Sequence, residues 1–350
     1  MEEDYLKGRG AQYNAHNKFE QHQYVQEHIE GLDEPHLRHP QRQLFYDHPK
    51  KIVNETDSPD LRSMFSINPY QGCEHGCIYC YARNSHEYWG FSAGLDFETK
   101  IVVKPNAPQL LEQHFQKRSW QVHPIALSGN TDCYQPVERE LKITRKLLQV
   151  FLRCGNPVGI ITKNSLIERD MDILKDLSAE GLVHVYISIT SLNEKLRVKM
   201  EPRTASAARR LATLEKLASA GIPCGVMIAP VIPAMNDHEI PQIMEQIAEA
   251  GALTAGYTVV RLNGAIGPIF IDWLHKNFPD RAAKVEKQIK ELHGGNLNDS
   301  QFGRRMQGEG VISKNIKQLF QVAKAKHLGD RQMPSYNLST FRPTGTLRLF

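Results

Sequence analysis

Residues 67–83 read INPYQGCEHGCIYCYAR and set Cys73, Cys77 and Cys80 in a C-x3-C-x2-C run, half of the chain's six cysteines. Three thiols in so short a span can converge on one inorganic centre. Cysteine thiolates hold iron–sulfur clusters, and a four-iron cluster ordinarily takes four of them. Three leave one iron open to a substrate or cofactor. The competing reading is a structural zinc site, which needs four nitrogen or sulfur ligands in a closed tetrahedron, with His75 or His86 as the fourth. A zinc ribbon brings a second C-x2-C pair from elsewhere, whereas Cys133, Cys154 and Cys224 stand singly. The spacing therefore favours the cluster, and a disulfide framework fits a chain of this length least well.

The 350 residues suffice for one large domain or two smaller ones, and 41% hydrophobic with 23% charged residues is ordinary for a soluble globular protein. The first residues, MEEDYLKGRG, lack the apolar stretch of a signal peptide. The apolar run at 222–235 is broken by prolines and too short to span a bilayer. A reducing cytoplasm is the expected compartment, with no membrane partner. The net charge of +4 hides a gradient, because residues 1–60 hold seven basic and twelve acidic residues and residues 281–350 hold thirteen and five. A basic end is either a nucleic-acid footprint or the solvated faces of helices.

Residues 1–60 are polar and carry six of the fifteen histidines without H-x-x-x-H or H-x-H spacing, which predicts a partly disordered arm. From Ser63 onward strand and helix patterns alternate. Strands are expected at 64–68, 123–127, 158–162, 183–190, 224–230 and 257–262. Helices are expected around 109–116, 138–152, 166–177, 205–220 and 240–250. Six strands with helical crossovers imply a parallel sheet, two units short of a closed eight-fold barrel. The expected organisation is an arm (1–60), a partial (β/α)6 TIM-like barrel (61–270) and a basic helical extension with tail (271–350).

Ligands in such folds gather at the C-terminal ends of the strands. Several informative residues fall there, each with two readings. Asn130 and Asp132, in SGNTD (128–132), suit recognition of an amino group or an Asx turn capping the next helix. Lys163 is a carboxylate partner or a solvated cation. Ser188 and Thr190 are ligand contacts or polar residues facing the barrel interior. Arg203 offers a fork for phosphate or carboxylate, or pairs with Glu201 or another acid. Cys133 is a hydrogen-atom donor or an inert core thiol. Tyr79, just before the last cysteine, is a ligand contact or a core tyrosine.

The three-cysteine run with Tyr79, together with GLDFETKIVVKPN, NTDCYQPVERELKITR, EPRTASAARRL and APVIPAMND, resembles an uncharacterised bacterial branch of the spore photolyase-like radical S-adenosylmethionine (SAM) enzymes. The resemblance runs from about Gly8 to the C-terminus. It implies a [4Fe–4S] cluster on Cys73, Cys77 and Cys80, and SAM cleaved reductively to a 5′-deoxyadenosyl radical. It also implies an electron donor such as flavodoxin or ferredoxin. By the same resemblance Tyr79 lies near the adenine, the 128–132 segment meets the SAM amino group, Lys163 its carboxylate, and Ser188 and Thr190 its ribose. Spore photolyases use a cysteine donor where this chain has Asn130, so thymine-dimer repair does not carry over with the family. Cys133 is the alternative donor. Nucleic acid is the leading substrate class, ahead of a peptide or small metabolite. A zinc-stabilised nucleic-acid-binding module is the non-catalytic alternative. Residues 346–350, TLRLF, resemble the bacterial sliding-clamp peptide, with Leu347, Leu349 and Phe350 as groove-filling side chains; packing of the tail on its own barrel is the other reading.

Overall fold

The computed structural model describes residues 5–19, 41–56, 58–60 and 64–343. Among these residues ten strands run in chain order as β1 (Gln43–Tyr46), β2 (Val53–Thr56), β3 (Met64–Ile67), β4 (Tyr70–Gln71), β5 (Lys100–Val103), β6 (Ile125–Leu127), β7 (Val158–Thr162), β8 (Val183–Ser188), β9 (Cys224–Val231) and β10 (Thr254–Val259). The large sheet has the order β10-β9-β8-β7-β6-β3-β2. Its six strands β3 and β6 to β10 pair in parallel, and β2 closes one edge antiparallel to β3. This is the open (β/α)6 barrel expected from the alternation of patterns.

Parallel strands covered on both faces read as continuous apolar runs. VGIIT of β7 and VHVYIS of β8 are of this kind. Val158, Ile160, Val185 and Ile187 pack in one core with Leu147, Phe151, Leu177 and Leu214 from the surrounding helices. The expected helix at 138–152 is two, Glu138–Leu141 and Ile143–Cys154, broken at Lys142 with φ of 54°. The fully buried Glu138 is the reason. Its carboxylate accepts the Thr144 N–H at 3.0 Å and so caps the second helix from the first. β10 begins three residues earlier than the pattern at 257–262 suggests, with Thr254 paired to Gly225.

The second sheet, β1-β5-β4, was not expected. β1 and β2 both come from the stretch read as an arm. Their sequences, QLFY and VNET, are short and largely exposed, so they carry no alternating apolar signal.

Three helices, Ile266–Asn277, Pro279–Leu292 and Gly310–His327, follow the barrel. The first two bury Phe270, Trp273, Val285 and Ile289 in a second core shared with Ile78, Met200 and Ile232. The chain then crosses the N-terminal ends of β7 and β8. Asn337 N–H donates to Gly181 O at 2.9 Å, Arg342 N–H donates to Cys154 O at 2.8 Å, and Tyr336 stacks on His184 at 3.8 Å. Gly155 makes this crossing possible, since a Cβ there would stand 2.2 Å from Thr340 O. The clamp-like residues Leu347, Leu349 and Phe350 lie outside the described residues. Among the described residues no helix is long and apolar enough to cross a membrane.

Candidate active site

The three cysteines sit in a loop that leaves the C-terminal end of β3, and two left-handed glycines shape it. Gly72 has φ of 77° and Gly76 of 67°, backbone that residues with a Cβ rarely adopt. A Cβ on Gly76 would also stand 2.7 Å from Glu98 Oε2. The fully buried Arg83 ties the loop down. Its Nε donates to Cys77 O at 3.0 Å, its Nη1 to Ala93 O and Gly94 O, and its Nη2 to Glu98 Oε1 at 2.6 Å. Glu98 in turn accepts the N–H groups of Gly10 (3.1 Å) and Ala11 (2.8 Å). Residues 9–14 of the expected arm are thus strapped over the cysteine loop. Gly10 lies so close that a Cβ there would be 1.9 Å from Gly76 O.

All six cysteines are free thiols, with Cys73 and Cys77 buried and Cys80 half-buried. Burial pushes the Cys73 thiol up, and Asp132 and the other two cysteines push it further. Burial does the same at Cys77, helped by Glu201 and opposed by Lys163; at Cys80 the opposing charges are Arg83 and Lys163. Thiols in such surroundings ionise when a coordinated metal centre supplies the compensating charge.

Of the two histidines considered as a fourth zinc ligand, His75 does not serve. It has both ring nitrogens committed, Nδ1 3.3 Å from Asp132 Oδ2 and Nε2 3.1 Å from Asn164 Nδ2. The His86 ring packs on Phe91 and Phe97 at 5.1 and 5.6 Å, and its two buried nitrogens have no hydrogen-bond partner among the described residues. Among the described residues no three His, Cys, Asp or Glu side chains gather around one point as a single ion requires. Thiolates on separate irons of a cube stand further apart than ligands of one ion. Three free thiols, two buried and one half-buried, within electrostatic reach of one another therefore fit a cluster better than zinc.

The later strand ends deliver the remaining residues. Asp132 is fully engaged: Oδ1 accepts from Thr162 Oγ1 (2.7 Å) and Tyr134 N–H (2.9 Å), and Oδ2 from Lys163 N–H (2.8 Å). Burial works to raise its pKa, but His75 and these donors prevail and hold it at about 2. The Tyr134 bond is the Asx turn allowed by the sequence. Asn130 is also tied inward, its N–H to Asn68 Oδ1 and its Nδ2 to Gln71 Oε1 and Ser85 Oγ. Lys163 Nζ lies 5.9 Å from the centre of the Tyr79 ring.

Cys133 is wholly buried in the main core, with its carbonyl held by Thr144 Oγ1 at 2.6 Å.

Behind the cysteines a second buried network was hardly legible in the sequence. The Tyr79 hydroxyl and the Arg210 Nη2 both bond the Glu201 carboxylate, and Thr190 Oγ1 donates to it at 2.6 Å. Arg210 Nη1 also donates to the backbone carbonyl of Ser188 at 2.8 Å. Glu201 and Arg210 form a buried ion pair, so Arg203 has no claim on Glu201. It reaches Glu74 instead, at 3.3 Å. In EPRTASAARRL only helical phase separates the buried Arg210 from the exposed Arg209 beside it.

This network sets an acid limit. Burial raises the Glu201 pKa, but Arg210, Lys163, Thr190 and Tyr79 outweigh it and bring the group from 4.5 to about 2. A carboxylate depressed in this way contributes stability above its unfolded pKa and loses it as pH falls through the folded value. Unfolding free energy should therefore drop by about 3 kcal/mol between pH 4.5 and 2 on this account alone. Denaturant titrations across that window should show a flatter profile for Glu201→Gln than for the parent. Equal slopes would show that Glu201 is not ionised in the folded state.

A family model described as the radical SAM superfamily matches residues 67–247. An uncharacterised protein of Mycobacterium tuberculosis is 33% identical over 241 residues, which cover 68% of this chain and 71% of that one. An uncharacterised protein of Methanocaldococcus jannaschii is 30% identical over 231 residues, 66% of this chain and 82% of its own. Among solved structures, spore photoproduct lyase complexed with dinucleoside spore photoproduct superposes with a TM-score of 0.59 at 15% identity, over 82% of this chain and 80% of that one. A variant of that lyase with bound AdoMet and the same dinucleoside gives 0.56 at 15% identity, over 82% and 79%. These likenesses fix the fold.

Proposed function

The chain belongs to the radical SAM superfamily, and we propose that it is an iron–sulfur enzyme that uses SAM to start hydrogen abstraction on a nucleic-acid substrate. The observation that carries the reading is the loop of three free thiols at the strand ends, two buried and one half-buried, with Tyr79 and Lys163 beside it. When bound, a [4Fe–4S] cluster and SAM supply one-electron cleavage to a 5′-deoxyadenosyl radical. In this proposal Cys73, Cys77 and Cys80 hold the cluster, and Lys163 pairs the SAM carboxylate. Tyr79, Ser188 and Thr190 line the nucleoside side.

Asp132 and Asn130 act by positioning, since their polar atoms are occupied by protein donors and acceptors. Arg203 is proposed to meet an anionic group of the substrate. Cys133, sealed in the core, is given no part in hydrogen transfer. Electrons would come from a flavodoxin or ferredoxin in a reducing cytoplasm. The fold shared with spore photoproduct lyase and the basic C-terminal segment support nucleic acid over a peptide or metabolite.

The test is stimulation of turnover. Reconstituted enzyme with SAM and dithionite is expected to release 5′-deoxyadenosine faster with a nucleic acid, UV-irradiated DNA included. Stimulation by peptides or small metabolites and by no nucleic acid would overturn the substrate class.

A further inference from the structure

Beside the cysteine loop lies an open cleft of about 550 Å3, walled by Arg42, Glu74, Arg139, Arg203 and Arg209. It shares its wall with the candidate active site. Glu74 follows Cys73 directly, and Arg203 N–H donates to His75 O at 3.2 Å. The start of helix Ala207–Ser219 opens into the same cleft through Thr204, Ala205 and Ser206, which adds partial positive charge.

The arginines here differ from those that build the fold. Arg83 and Arg210 spend their forks on several buried acceptors. A guanidinium has five N–H donors, yet among the described residues Arg203, one-third exposed, makes a single side-chain bond, 3.3 Å to Glu74. Arg139 has no side-chain partner among the described residues. Arg42 and Arg209 pair with Glu140 and Glu168 at 2.8 and 3.1 Å.

The floor of the cleft is equally incomplete. The Glu74 side chain is only 2% exposed, and its Oε2 has no hydrogen-bond donor, with Arg42 3.8 Å away. A buried carboxylate oxygen without a donor is costly, so the cleft offers guanidinium donors for an anion and an acceptor for a donor group close by. A nucleotide presents that combination, a phosphodiester beside a sugar hydroxyl or base amino group.

We propose that this cleft is a phosphodiester subsite, which grips the backbone of a nucleic-acid strand while a neighbouring nucleotide of that strand occupies the reacting centre. The proposal rests on the nucleic-acid reading above. It is tested by fluorescence anisotropy of a labelled single-stranded oligodeoxynucleotide over a range of salt concentrations, with cluster-loaded parent and Arg139→Ala/Arg209→Ala protein. Iron content and thermal unfolding check that the double variant is intact. Binding by the double variant should weaken at least tenfold, and the slope of log affinity against log salt should fall by about one for each phosphate contact removed.

Unchanged affinity and slope in the double variant would overturn the subsite while leaving the substrate class standing. Loss seen only in Lys314→Ala/Lys317→Ala would place the strand on the C-terminal helix and also overturn it. Displacement of the strand by inorganic phosphate at matched concentration would assign the cleft to small phosphates instead. No binding by the parent would remove the nucleic-acid reading itself, and the subsite with it.

Discussion

Cys77→Ala protein, prepared anaerobically, is expected to fold, to come off the column without the brown colour of the parent, and to release no 5′-deoxyadenosine above background. The thiol is buried and makes no side-chain bond that shapes the loop; the loop is held instead through the Cys77 carbonyl by Arg83 and by the Cys80 N–H at 3.3 Å. Replacing the sulfur with hydrogen therefore leaves the backbone frame in place. On the proposed assignment it removes one of three protein ligands of the cluster. Two thiolates do not retain a four-iron cluster against loss of iron, so iron and sulfide content should fall together with activity. A Cys77→Ala protein that kept full iron and cleaved SAM would show that another side chain is the ligand. Cys73→Ala and Cys80→Ala should match it, whereas Cys154→Ala and Cys224→Ala should keep their colour.

The largest loss of stability is expected at Arg83→Met. Arg83 and Glu98 are both completely buried and 2.6 Å apart. Removing one partner of such a pair strands the other charge in a low-dielectric interior and costs about 3–5 kcal/mol. Methionine fills much of the volume but bonds neither Glu98 nor the carbonyls of Cys77, Ala93 and Gly94. The urea midpoint should fall accordingly with little change in slope. Glu98 also anchors the strap through Gly10 and Ala11, so the variant should lose iron faster in air than the parent. Adding Glu98→Leu should recover part of the loss, since the stranded charge is then gone, although the strap stays untethered. A decrease below about 1 kcal/mol for Arg83→Met would mean that water reaches the pair and that the strap does not seal the loop.

The barrel was legible because its signals are local. VGIIT and VHVYIS announce buried parallel strands, and Gly221 marks where the helix before β9 stops. The three cysteines were legible because ligand spacing in a loop is itself a sequence property. What escaped the sequence depends on contacts between distant segments. QLFY and VNET become strands only because β5 and β3 offer them edges. Residues 9–14 become a strap only because Glu98 receives their N–H groups. Glu201 looked like a partner for Arg203 two residues away, but the chain turns so that Arg210 reaches it first, and Arg203 faces the cleft. Asp132 was legible as both a turn former and a ligand contact, and its bonds to Thr162, Tyr134 and Lys163 show how much of it the turn consumes.

One measurement bears most directly on the chemistry. Protein reconstituted with iron and sulfide under anaerobic conditions is mixed with SAM and dithionite, and 5′-deoxyadenosine and methionine are separated and quantified by chromatography. The proposed function predicts equal amounts of the two products, formed only when the reductant, SAM and all three cysteines of the loop are present. Iron-loaded, reduced protein that binds SAM and releases neither product would contradict the assignment of this loop as the centre of a radical SAM enzyme.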